Sequence, residues 1–308
     1  MGWRATSAVL ATIFLTASPA TLAAGDGAWS AMASGTTKSL IAVWGTSGRD
    51  VFAVGDGGTI LHYDGRAWIA MPVAGAPHLT SIWGAAAADV FAVGDGGVIL
   101  HYDGAVWRAM ASGTTGGLDC VWGASGRDVF VVGPEKREIL HYDGAAWAVV
   151  ATGTAAPLFG VSGVSGRDVL AVGMNGTILH YDGATWSAMT SGTTAHLTGI
   201  WMASAQDGFA AGTGGAILRW NGAAWHATAS GTTKHVARLW GAGGDDVWAA
   251  CLSGGLLHWD GVRWRAVSVG SQQGLMGVWG PSPDELFAVG KNGTILHLAA
   301  AGRAGAGR

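Results

Sequence analysis

Tryptophan returns with a fixed period along almost the whole chain. Trp29, Trp68, Trp107, Trp147, Trp186, Trp225 and Trp264 stand at one even interval, lengthened by a single position between Trp107 and Trp147. A second column, Trp44, Trp83, Trp122, Ser162, Trp201, Trp240 and Trp279, keeps the same spacings. So does a third, Asp50, Asp89, Asp128, Asp168, Asp207, Asp246 and Glu285. The one longer interval comes from an extra residue within Pro134-Glu135-Lys136-Arg137-Glu138. A unit of this length cannot bury its own apolar residues and must stack on its neighbours. A period of about 40, built from four short strands, is the pattern of propeller blades.

One unit shows the four strands. Leu40 to Trp44 is a short apolar run, strand a, followed by the turn chemistry of Gly45 to Arg49. Val51 to Val54 is strand b, Thr59 to Tyr63 strand c, and Trp68 to Met71 strand d. Gly57-Gly58 and Asp64-Gly65 read as two-residue hairpin turns, since such turns need positive φ. Asn175-Gly176 and Asn292-Gly293 replace the first of them elsewhere. Turn glycines repeated in every unit thus account for 53 Gly in 308 residues. With two-residue turns, Phe52, Val54, Leu61, Tyr63 and Trp68 share one blade face. Val51, Ala53, Ile60, His62 and Ala67 then share the other.

The strand count predicts how the ring closes. A lone strand d stands first, at Trp29 to Met32, and six complete units follow. The last unit, Leu275 to Leu298, has strands a, b and c only. The expected fold is therefore an all-β, seven-bladed β-propeller spanning residues 25–299. The N-terminal strand completes the last blade and removes its open edge.

Residues 1–24 differ from the rest. Arg4, an apolar stretch through Leu15, and small residues up to Ala23-Ala24 read as a secretory signal peptide, too short to anchor in a bilayer. The expected location is secreted or periplasmic, with no membrane span, and residues 300–308 are expected to form a flexible tail. A hydrophobic content of 49% argues against disorder. A net charge of −3 with no Lys/Arg block argues against a nucleic-acid partner. A monomer is expected.

Most chemistry-bearing residues are columnar. Thirteen of the 17 Trp fall in the two columns and are expected to be buried packing residues. His62, His101, His141, His180, His258 and His297 occupy one position of strand c, with Arg219 in the seventh place. Equivalent positions radiate around a ring and cannot converge on one metal, so these His should be bonded within their blades. The Asp50 column is expected to satisfy turn amides. Cys120 and Cys251 fall in non-neighbouring blades and should be buried free thiols, because a disulfide needs Cα atoms within about 7 Å. No catalytic residue, cofactor or metal site is expected.

Departures from the repeat are the better functional pointers. The charged insertion Glu135, Lys136, Arg137 and Glu138 replaces a tight turn. His78, His196 and His235 stand at the entrances of strand a. Arg238 occupies a strand-a column otherwise small, and places a cation in the channel or against neighbouring carbonyls. The insertion and the three His are expected on one ring face, with the Asp56 and Asp95 turns and the Ser34-Gly35-Thr36-Thr37 loop and its copies. With Arg238, the insertion and the three His are the candidate binding residues.

The run Val43-Trp44-Gly45, Asp50-Val51-Phe52-Ala53-Val54-Gly55, Gly58-Thr59-Ile60-Leu61-His62-Tyr63-Asp64-Gly65 and Trp68 resembles the repeats of bacterial secreted propellers. Those are grouped with photosystem II assembly-factor-like proteins and with neuraminidase-type Asp-box (BNR) repeats. The resemblance covers residues 26–298 and implies a propeller. The assembly-factor side of it implies a protein-binding scaffold. The Asp-box side is looser, because Trp68 stands so soon after Asp64. Arg49, Arg127 and Arg167 lie at equivalent turns of different blades, unlike a sialidase triad. The expected function is a non-enzymatic scaffold that binds a protein or other macromolecule through one ring face. The alternatives are a lectin-like carbohydrate binder and, behind it, an Asp-box-type glycoside hydrolase.

Overall fold

The computed structural model describes residues 29–135 and 138–299. Seven four-stranded antiparallel sheets form the ring, each with strand a innermost and strand d outermost. In blade 1 these are a (Leu40–Ser47), b (Asp50–Gly55), c (Thr59–Tyr63) and d (Trp68–Ala70). Blades 2 to 6 repeat the order, with strand a beginning at Leu79, Cys120, Leu158, Leu197 and Val236. Blade 7 takes its strand d from Trp29–Met32, which pairs with Ile295–Leu298 in the register Trp29↔Leu298 to Met32↔Ile295. The expected ring closure is present. Residues 1–28 and 300–308, including the signal-peptide and tail assignments, lie outside the described residues.

The hairpins correct the expected register. The b–c turn holds three residues, Asp56 to Gly58, so that Gly55 pairs with Thr59 and Phe52 with His62. Gly57 and Gly58 both take positive φ, and Thr59 Oγ1 donates to the Asp56 carbonyl at 2.7 Å. Asn175 and Asn292 adopt the same left-handed conformation at the Gly57 position. The c–d connection runs from Asp64 to Ala67, with Tyr63 paired to Trp68. Asp64 Oδ1 accepts from the Arg66 and Ala67 amides at 2.8 and 2.9 Å, which fixes this turn.

One extra residue in a turn moves a strand's side chains to the other face. Ile60 and His62 therefore join Phe52 and Val54, while Leu61, Tyr63 and Trp68 join Val51 and Ala53. Both faces carry aromatics as a result. His62 stacks on Phe52 within its blade, centroids 4.3 Å apart. Phe52 in turn meets Tyr102 and the edge of Trp107 in blade 2, at 5.7 and 6.3 Å. The same joint recurs between blades 2 and 3 and between blades 3 and 4.

None of the seven Trp in the strand-d column is exposed. Trp68, Trp225 and Trp264 are buried. The indole N–H groups of Trp68, Trp107, Trp147, Trp186 and Trp225 are buried without an acceptor. An unmade hydrogen bond costs about 1–3 kcal/mol. Burying about 150–250 Å² of ring at about 25 cal/mol/Å² gains roughly 4–6 kcal/mol, so packing prevails. Cys120 and Cys251 are both free thiols. Cys251 is buried as expected, whereas Cys120 is only partly buried.

Candidate functional site

The two ring faces differ in how their polar groups are employed. The second face carries the a–b turns and the c–d hairpins. The Asp column starts strand b there, and its carboxylates do not chiefly serve turn amides as expected. They take the strand-c His of their own blade: His62 Nε2–Asp50 Oδ1 2.7 Å, with matching pairs at His101–Asp89, His141–Asp128, His180–Asp168 and His258–Asp246. Glu285 and His297 form a longer pair at 3.3 Å. In blade 5, Arg219 replaces the imidazole and binds Asp207 through Nε and Nη2, at 3.0 and 3.1 Å. The His are thus bonded within their blades, as expected, and these groups are occupied in holding strand b to strand c.

This arrangement predicts a substitution pattern. His141→Ala removes the donor to Asp128 and is expected to cost about 1–2 kcal/mol in urea unfolding. His141→Arg copies the Arg219–Asp207 pair and should recover most of that loss. If arginine is no better than alanine, the pair is not what holds the two strands.

The first face carries the d–a loops and the b–c turns; the Ser-Gly-Thr-Thr core of the loops recurs from residues 34, 112, 191 and 230 with the same Ser Oγ bond to a Thr carbonyl, while the residues at the entrance of strand a vary from blade to blade. In blades 1, 2 and 4 to 7 the second residue of strand a bulges out of the ladder, as at Leu40/Ala42 and Val236/Arg238. That position and its blade 3 equivalent reads Ile41, Thr80, Asp119, Phe159, Thr198, Ala237 and Met276 around the ring. It forms the rim of the channel mouth.

Arg238 starts in blade 6 and reaches across this mouth. Its Nη1 donates to the Thr198 carbonyl of blade 5 at 2.7 Å, and its Nη2 to the Asp119 carbonyl of blade 3 at 3.1 Å. The Asp119 carboxylate lies 4.0 Å from Nη2. Burial pushes the Asp119 carboxyl above the usual carboxylate range, opposed by the charges of Arg238 and His78 and reinforced by Asp95. His235 Nε2 and Thr198 Oγ1 share a hydrogen bond of 2.8 Å. Burial lowers the His235 pKa, and the charges of Arg238 and His196 lower it further, which favours the neutral ring. His196 Nδ1 accepts from the Asn175 amide at 3.1 Å, and His78 Nδ1 pairs with Asp56 Oδ1 at 2.8 Å. Glu135 Oε2 accepts from the Gly117 amide at 3.0 Å.

The structure therefore places His78, His196, His235, Arg238 and Glu135 on one face. Arg238 and His235 meet on Thr198, and Arg238 also reaches Asp119, while His196 and His78 each bond a b–c turn. Glu138 stands just before strand c of blade 3 (Ile139–Tyr142). Lys136 and Arg137 lie outside the described residues. Asp119 and Thr198 were missed. The signal for Asp119 was available: it is the one acidic residue in its column. Without the bulge, nothing marks that column as facing the channel.

The carboxyl environments differ enough to measure. Asp260 is held down to about 2, first by the Arg263 amide, with the Val262 amide and Arg265 assisting. Carbon-detected NMR titration should show Asp260 still ionised where ordinary carboxylates protonate, and Asp119 protonating before them as the pH falls. A reversed order would contradict these environments.

Among the described residues, no helix is long and apolar enough to cross a membrane. Nor, among them, is any group of three His, Cys, Asp or Glu placed to hold a metal ion. No family model matches the chain, and no curated protein matches it. Solved structures do. One, described as YCF48 bound to D1 peptide, has a TM-score of 0.72 at 17% identity and covers 91% of this chain and 99% of its own. The likeness shows the fold. YCF48 from Cyanidioschyzon merolae is similar, with a TM-score of 0.71 at 16% identity over 88% of this chain and 98% of that one. The WD40 repeats of RRP9 reach a TM-score of 0.75 at 11% identity, over 89% and 98%.

Proposed function

We propose that this chain is a non-enzymatic, exported propeller that binds a protein partner through its first face. The observation that carries the reading is the contrast between the faces. Second-face polar groups are used in seven near-identical blade-internal pairs. The first face breaks the repeat in charge, size and hydrogen bonding around a mouth where several elements converge, the usual setting for a binding site. The similar fold of a YCF48 structure that holds a D1 peptide supports a polypeptide partner. So does the resemblance of the repeats to assembly-factor-like propellers. Export rests on the signal-like character of residues 1–24.

A carbohydrate binder would need an exposed aromatic platform, and no Trp among the described residues is exposed. Selection of displayed peptides against the chain lacking residues 1–24, beside a glycan array, tests the reading. Peptides should be enriched whose binding falls when His196 and His235 are changed to Ala. Binding should survive changes of Arg49, Arg127 and Arg167 on the second face. Glycan hits without peptide hits would overturn the proposal in favour of the lectin reading.

A further inference from the structure

Among the described residues, the acids of the first face gather on one side of the ring. They are Asp56, Asp95, Asp119, Glu135 and Glu138, all on blades 1 to 3. The remaining acids of blades 4 to 7 lie in the a–b turns and c–d hairpins of the second face. Blades 6, 7 and 1, consecutive around the ring, each present one exposed lysine on the first face: Lys234, Lys291 and Lys38. Asp56, the nearest acid on the arc, is engaged by His78 at 2.8 Å.

Two of these lysines guard equivalent grooves. Lys38 and Lys234 close identical Ser-Gly-Thr-Thr-Lys loops, at residues 34–38 and 230–234. Each ammonium donates to a carbonyl of its own blade's b–c turn, Lys38 Nζ to Gly57 at 3.2 Å and Lys234 Nζ to Gly254 at 2.9 Å. That single bond positions the charge and leaves two donors available. The grooves beneath hold about 370 and 380 Å³ and mix Ser, Thr, Gly and Lys groups with apolar side chains, among them Trp68 and Val73 in blade 1 and Trp264 and Val267 in blade 6. Between them, the b–c turn of blade 7 carries Lys291.

From this arrangement we infer that blades 6, 7 and 1 form a docking surface for an acidic, extended segment of a partner protein, with apolar side chains seated in the two grooves and carboxylates facing Lys234, Lys291 and Lys38. The inference rests on the protein-binding reading and gives it a location and a partner chemistry. Charge complementarity selects an acidic segment, and paired grooves that offer backbone and hydroxyl partners beside apolar side chains select a polypeptide over a bare polyanion. The chain's net charge of −3 also disfavours non-specific capture of polyanions.

The test uses the chain lacking residues 1–24 and three fluorescent peptides that alternate Leu with Glu, Gln or Lys. A single-stranded oligodeoxynucleotide serves as a polyanion probe. The Glu–Leu peptide should bind best. Its affinity should fall about tenfold or more in the variant Lys38→Ser, Lys234→Ser, Lys291→Ser, and should weaken as salt is raised. A control changing Arg49, Arg127 and Arg167 to Ser on the opposite face should bind like the parent. All three lysines are exposed, so the variant should melt like the parent. Equal binding of the Gln peptide, equal binding of the oligonucleotide, an unaffected lysine variant, or no Glu–Leu binding would each overturn the inference. The display selection separates the two levels. Peptides that bind without acidic enrichment would sink this surface and leave the protein-binding reading standing, whereas an empty selection would sink that reading itself.

Discussion

A chain that begins at Ala33 should melt at least about 10 °C below one that begins at Gly25. Trp29–Met32 is the outer strand of the blade that ends at Leu298. Trp29 meets the Trp248 ring of blade 6 edge to face at 6.0 Å. It also packs against the cluster that holds Leu298, Leu296 and Leu275. Trp29 is half-buried, so emptying its site costs less than the roughly 3–5 kcal/mol of a fully buried aromatic; loss of the other three residues of the strand with their ladder bonds adds to it and leaves Ile295–Leu298 as an open edge. A loss of about 5 kcal/mol at about 2 °C per kcal/mol gives the expected shift. The exposed edge should also promote association between copies. Adding a synthetic peptide of residues 25–34 should restore part of the melting temperature, because the strand is held by packing and ladder bonds rather than by its covalent link. An unchanged melting point in the shortened chain would mean that the ring does not depend on this closure.

Arg238→Ala should cost about 2–3 kcal/mol, less than the about 3–5 kcal/mol expected for stripping a fully buried charge of its partner. The reduction reflects partial solvent exposure, since the Arg238 and Asp119 side chains keep 21% and 29% exposure. The variant loses donors to the Thr198 and Asp119 carbonyls and leaves the Asp119 carboxylate without a facing cation. The loss should depend on pH in a defined direction. Burial raises the Asp119 pKa in the folded state, and Arg238 is the first charge opposing that rise. Removing Arg238 raises it further. A carboxyl whose folded pKa lies above its unfolded value carries a penalty that is full above the folded pKa and fades as the pH falls through it. Urea unfolding should therefore show a smaller difference between variant and parent in mildly acidic buffer than at neutral pH. Adding Asp119→Asn to Arg238→Ala should recover stability at neutral pH. If the penalty is unaffected by pH and by Asp119→Asn, Arg238 acts through its carbonyl bonds alone.

Blade number, strand order and ring closure were legible because they follow from counting. A constant period with Trp, Asp and Asp-Gly at fixed offsets leaves one way to lay out the strands. The turn glycines and the lone first strand settle the rest. That the strand-d Trp pack rather than project was legible for the same reason, since a residue repeated around a ring is packing before it is function, although only Trp68, Trp225 and Trp264 are buried and the other column Trp are half-buried. The blade faces were not. They depend on whether the Asp56 turn holds two or three residues, and Gly57-Gly58 suits both. One residue of difference sends His62 to Phe52 and, with Asp50 at the start of strand b, completes a pair that local sequence did not reveal. The first-face candidates stand out as breaks in the repeat; the structure joins Arg238 and His235 through Thr198, while His78, His196 and Glu135 bond turn and loop residues of the same face. Asp119 escaped because strand alternation does not mark its column, which bulges out of the ladder in the other six blades and in blade 3 stands just before the first ladder residue of strand a. Arg238 meets Asp119, three blades earlier in the chain, only because closing seven blades brings the two across one narrow opening. Local chemistry repeated along the chain determines the ring. Which side chains face each other across it is decided by turn length, bulges and closure, terms that no single repeat contains.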